Sequence, residues 1–161
     1  MMSYRKALLI VVATGLLCTA GSFFAQYVMK LNPCPLCILQ RVAVISVTLM
    51  SILVLLLPAH KKGGWFAAAV LISIPALWGL GVAGYQIWLQ SLPVMERPSC
   101  GAPWTFRLKD WPLFDVWEPV VRGFGDCGVQ EHVMGVPLPI WSVMFFGSVL
   151  IWVWFAPRLS K

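Results

Sequence analysis

The chain has 161 residues, 60% of them hydrophobic and 11% charged, with a formal net charge of +6 and a mean hydropathy of +0.82. A water-soluble domain of this size is nearer half apolar and a quarter charged, which argues against water as the main solvent. The positive charge does not mark a nucleic-acid partner either, because the basic residues form no stripe along one helix and sit mostly at the ends of apolar runs.

Four apolar runs, at about 7–27, 38–57, 65–89 and 138–156, are each long enough to cross a hydrocarbon core as helix, which takes roughly 20 residues. They predict an all-α membrane protein: a four-transmembrane-helix bundle in a single integral membrane domain, 1–161. Arg5 and Lys6 precede the first run, which ends in "CTAGS". Cleavage there would leave three spans and spoil the charge pattern, so an uncleaved anchor is expected. Cys18 lies mid-span, where a free thiol behaves as a small hydrophobe. Leu17 before it is too bulky for a lipoprotein site.

A short loop at about 28–37 leads into the second run, which ends at "PAHKKGG" with Lys61 and Lys62. The third run contains Pro75, which should kink it, and Gly79 with Ala83, a spacing that lets helices approach closely. The long loop, about 90–137, holds all six acidic residues and four basic ones, a net charge of −2. The fourth run is followed by Arg158 and Lys161. Basic residues in short flanks face the cytoplasm. With four spans, both termini and the Lys61–Lys62 turn are therefore inside, and the short and long loops are outside.

Four of the five cysteines, Cys34, Cys37, Cys100 and Cys127, map to that outer side. Disulfides persist in oxidising compartments such as the bacterial periplasm. Pairing Cys34 with Cys37 and Cys100 with Cys127 is the simplest of three possibilities. The wide pair gains more from loop closure, and the tight pair is better suited to opening and closing. A zinc site of four thiolates would want two tight knuckles, and only one is present, so no metal is expected. A purely structural pair of disulfides stays open on spacing alone.

The stretch "NPCPLCILQR" (32–41) reads as a helix start, with Asn32 as cap and Pro33 at the first position. Cys34 and Cys37 then share a face at the positive end of the helix dipole, which stabilises a thiolate. Arg41 lies one turn deeper than Cys37 on that face. A guanidinium inside a span is costly and marks function by default, with snorkelling to the interface as the bland alternative. A membrane quinone reaching this depth would be a sink for the electrons of the pair, with Arg41 stabilising charge on the quinone oxygen. Within the long loop, Trp111, Phe114, Trp117, Val121 and Phe124 recur at helical spacing, with Asp110 as cap. They predict a short interfacial helix, or a segment folded on its own small core.

With "PCPLCILQR" opening the second span, Cys100 and Cys127 in the long loop, "DWPLFDVWEPVV", "GDC" and "PLPIW", the chain resembles the DsbB family of disulfide bond formation proteins over nearly its whole length. The resemblance implies a bacterial inner-membrane enzyme that reoxidises a DsbA-like periplasmic protein of thioredoxin fold and passes two electrons to ubiquinone or menaquinone. It implies that Cys100 takes the attack of the partner thiolate, that Cys127 then attacks Cys34, and that Cys37, beside Arg41, meets the quinone. Some family members carry a histidine near the end of the third span that is linked to the quinone. Ungapped alignment on Cys100 puts Ile87 there, which leaves more of the quinone role to Arg41. Two other readings remain: a vitamin K epoxide reductase-like enzyme, whose tight pair tends to lie late in the chain, and a four-span scaffold, which needs no Arg41.

Overall fold

The computed structural model describes residues 4–56 and 64–155. Four long helices, α1 (Tyr4–Tyr27), α2 (Pro35–Leu56), α3 (Gly64–Ser91) and α6 (Leu138–Phe155), are long and apolar enough to cross a membrane. The predicted run ends at Leu57 and Ala156, and the basic residues Lys61, Lys62, Arg158 and Lys161, lie outside the described residues. Arg5 and Lys6 occupy the first turn of α1 and are exposed.

The helices pack in a chain, α1 on α2, α2 on α3 and α3 on α6, while α1 and α6 barely meet. The core between them is aliphatic and includes Leu8, Val47, Ile72 and Val149, with the Phe146 ring at its centre. Outward-facing Leu9, Leu17, Leu53, Ile74 and Ile151 are exposed, as expected where lipid, not protein, covers a helix. Backbone groups in hydrocarbon must be satisfied internally, and so must buried hydroxyls. Ser51 and Ser73 donate back to the carbonyls of Val47 and Ala69, and Trp154 Nε1 donates to Ser73 Oγ at 3.0 Å, tying α6 to α3. Helix α3 continues through Pro75. At Gly79 any Cβ would collide with the Phe146 ring, so the absent side chain is what lets α6 close on α3.

The long loop runs through a 3₁₀ turn (Val94–Glu96), α4 (Trp104–Arg107), α5 (Phe114–Val121) and a two-stranded hairpin. The hairpin pairs β1 (His132–Val133) with β2 (Val136–Pro137). Its tip is Met134–Gly135, both at positive φ, the conformation a two-residue hairpin turn demands. Helix α5 starts three residues later than the spacing predicts, and Asp110 is not its cap. Leu113, in the left-handed conformation, precedes it. The reason is Pro112, which disfavours helical backbone at Trp111. Trp111 and Trp117 are 68% and 58% exposed, a placement suited to the headgroup layer.

Candidate redox site

The first helical residue of α2 is Pro35, not Pro33, and the cap is Cys34, not Asn32. The Asn32 carboxamide accepts instead from the Phe124 N–H at 2.9 Å, and the Pro33 carbonyl accepts from Gly125 N–H at 3.3 Å. Both residues are therefore held by the long loop and stay outside the helix. Proline at the first helical position still follows the expected rule, since the N–H it lacks would have no partner there. Cys34 caps with sulfur: the Cys37 N–H donates to Cys34 Sγ at 3.3 Å, and Ile38 N–H donates to the Cys34 carbonyl at 3.0 Å.

Cys34 Sγ and Cys37 Sγ are 2.9 Å apart, with both thiols free. Cys100 and Cys127 form a disulfide across a Cα–Cα distance of 6.3 Å. All four cysteines belong to one small cluster closed by Leu89 and Leu36. Cys127 is 0% and Cys34 3% exposed, so one sulfur of each pair is held away from water, while Cys37 and Cys100 are half-buried. The Cys34 thiol is pushed well above its ordinary range, first by its hydrogen bond to Cys37 and then by burial.

The segment carrying Cys127 is pinned by α3 and by Arg97. Gln90 Nε2 donates to the Cys127 carbonyl at 3.1 Å. Arg97 donates to the carbonyls of Leu92, Gly128 and Gln90, joining the end of α3 to the residue after Cys127. Trp104 Nε1 reaches the Pro35 carbonyl at 3.1 Å, so the Cys100 side of the loop also touches the start of α2.

Arg41 is 6% exposed, and its guanidinium donates to oxygen acceptors. Nε donates to Ser22 Oγ at 2.8 Å, and one terminal nitrogen donates to Gln26 Oε1 at 2.7 Å and to the Val120 carbonyl at 3.1 Å. The guanidinium lies 4.8 Å from the centre of the Phe23 ring. These partners come from α1 and from the C-terminal turn of α5, where a cation meets unpaired carbonyls favourably. Gln26 and Tyr27 hold the same turn through the carbonyls of Arg122 and Pro119.

Arg41 and Cys37 nevertheless line one cleft of about 430 Å³ between α1, α2 and α6, with Gln40, Phe24, Trp141 and Phe145 among its walls. It lies where α1 and α6 fail to close. Glu131 lines both this cleft and a narrow one reaching Cys34, and burial raises its carboxyl above the usual range.

Ile87 is 37% exposed, whereas its neighbour Gln86 is 2% exposed and faces the sulfurs. Gln86 Nε2 donates to Cys37 Sγ at 3.3 Å and to Cys34 Sγ at 3.5 Å, and its Oε1 accepts from Gln40 Nε2 at 2.6 Å. Neither glutamine stood out in the sequence. The signal was there in an uncharged polar residue inside an apolar run, which lipid does not favour.

Comparison with known proteins agrees with this geometry. The family model described as "Disulfide bond formation protein DsbB" matches residues 4–156. Disulfide bond formation protein B of Neisseria meningitidis serogroup A is 52% identical over 158 residues, 98% of each chain. The protein of that name from Chromobacterium violaceum is 36% identical, covering 98% of this chain and 95% of its own. The one from Nitrosococcus oceani is 40% identical over 85% of this chain and 82% of its own. With two cysteine pairs gathered at one end of four membrane-length helices, the chain belongs to the DsbB family, the disulfide-generating oxidoreductases of the membrane.

Proposed function

We propose that the protein reoxidises a DsbA-like periplasmic protein and passes the two electrons to a membrane quinone, from the bacterial inner membrane with both termini in the cytoplasm. The observation that carries this reading is the burial of Cys34 and Cys127 in one cluster, with Cys37 opening on an apolar cleft between helices.

Thiol–disulfide exchange runs by thiolate attack on a disulfide sulfur. A thiolate of the reduced partner attacks Cys100 Sγ, the Cys100–Cys127 bond breaks, and Cys127 leaves as a thiolate. The partner's second thiol displaces Cys100, so the partner departs with a disulfide. Cys127 attacks Cys34 of an oxidised Cys34–Cys37 pair and releases Cys37, and Cys100 then displaces Cys34 to restore the loop disulfide. The Cys34–Cys37 dithiol finally yields two electrons and two protons to the quinone, which leaves as quinol.

The cleft suits such a substrate. Its walls are mainly apolar, it lies beside the lipid-facing gap between α1 and α6, and it ends at a cation and a thiol. Cys37 and Arg41 would meet the headgroup, the guanidinium holding the oxygen on which charge develops.

The test is an anaerobic assay with reduced DsbA-like protein and ubiquinone or menaquinone in separate arms. Oxidation of the partner should match quinol formation one to one. Cys37→Ser should abolish quinone reduction while still oxidising up to one equivalent of partner through Cys100–Cys127. Continued quinone consumption without Cys37 would rule the mechanism out.

A further inference from the structure

We propose that Gln86 is a catalytic residue of the tight cysteine pair: its carboxamide N–H stabilises the Cys37 thiolate as it leaves Cys34, and Gln40 holds the carboxamide in the orientation that does so.

The orientation follows from the distances. Gln86 Nε2 is 3.3 Å from Cys37 Sγ, and Oε1 is farther from the same sulfur, at 3.8 Å. Oε1 is already occupied by Gln40 Nε2 at 2.6 Å. Rotating the Gln86 amide alone would place two NH₂ groups against each other, so while Gln40 keeps its own orientation, with Oε1 buried and without a hydrogen-bond partner among the described residues, the donor end of Gln86 stays on the sulfurs. Both side chains are nearly fully buried, at 2% and 3% exposure, where water cannot substitute for the donor. A hydrogen bond to an ionised acceptor is stronger than one between neutral groups.

The inference rests on the relay proposed above. When Cys127 attacks Cys34 Sγ, the Cys34–Cys37 bond breaks and the electron pair stays on Cys37. That charge forms 3.3 Å from the Gln86 N–H. The other titratable or charged groups along the two clefts that Cys37 lines are Cys18 from α1, Cys34 at the cap of α2, Arg41 from α2, and Asp126 and Glu131 from the long loop. Gln86 is the contribution of α3 there and carries no charge of its own. Its effect therefore differs from theirs in surviving high salt.

The experiment is alkylation of the fully reduced full-length protein in lipid nanodiscs, with iodoacetamide across pH, read at the Cys37 peptide by mass spectrometry. Gln86→Leu should move the midpoint for Cys37 up by about one pH unit or more, roughly a tenfold loss of thiolate at fixed pH. Gln86→Glu keeps the shape and, above the pH at which its carboxyl ionises, replaces the N–H donor with an anion, so there it should move the midpoint at least as far. Gln40→Leu should move it in the same direction by less. Cys18 reactivity and re-formation of the Cys100–Cys127 disulfide report on folding, and if the leucine variant fails them the isosteric glutamate variant decides. Superimposable profiles for wild type and Gln86→Glu would overturn the proposal. The readout needs neither quinone nor partner, so a wild-type protein that alkylates as expected but reduces no quinone would overturn the relay reading alone.

Discussion

Arg41, nearly two turns into a membrane helix, donates to the carbonyl of Val120 in the long loop at 3.1 Å. The cation that lines the cleft is thereby also a cap of α5. The loop helix and the cleft share one side chain, and whatever displaces that guanidinium acts on both.

Arg41→Ala should therefore have two effects. Hydrogen bonds to a charged group are worth about 1.5–3 kcal/mol each, so quinone reduction should fall about tenfold or more. Trypsin cleavage after Arg122, whose side chain is 57% exposed, should also accelerate several-fold as the turn comes loose. Arg41→Lys keeps the charge but not the fork of donors, so it should retain more activity than alanine while the cleavage still accelerates. Unchanged proteolysis in both variants would show that α5 does not depend on this contact.

Glu131 provides a pH test. Burial raises its carboxyl above the usual range, opposed in part by the Asn32 N–H. Between the unfolded and folded pKa values the folded protein binds more protons, so stability falls as pH rises through that window. Glu131→Gln removes the dependence. Wild type and variant should melt together below the ordinary carboxyl range, and the variant should become the more stable of the two towards neutrality. A gap that widens on acidification would reverse the sign and refute the assignment.

Gly79 and Phe146 test the packing of α3 on α6. Gly79→Val places methyl groups where the Phe146 ring lies, and overpacking of this kind costs about 1–3 kcal/mol. Combining it with Phe146→Ala should cost less than the two single changes added together, because the removed ring makes room for the valine. Strict additivity in denaturant titrations would mean that the two positions do not share space.

The sequence by itself determined the number and placement of the membrane helices, because crossing hydrocarbon requires a contiguous apolar run and backbone satisfied within it. It also placed the tight pair at the start of the second helix, where Cys34 caps α2. Only the tertiary structure decided which residues face that pair. One residue along a helix is a turn of about 100°, so Gln86 meets the sulfurs while Ile87 looks outward. The true start of α2 was likewise decided by partners some ninety residues away, Phe124 and Gly125 binding Asn32 and Pro33. Arg41 was legible as a cation inside a span, but not the direction of its donors. Residue spacing places a side chain on a face, and only packed neighbours, here Ser22, Gln26 and Val120, fix where its hydrogen bonds go.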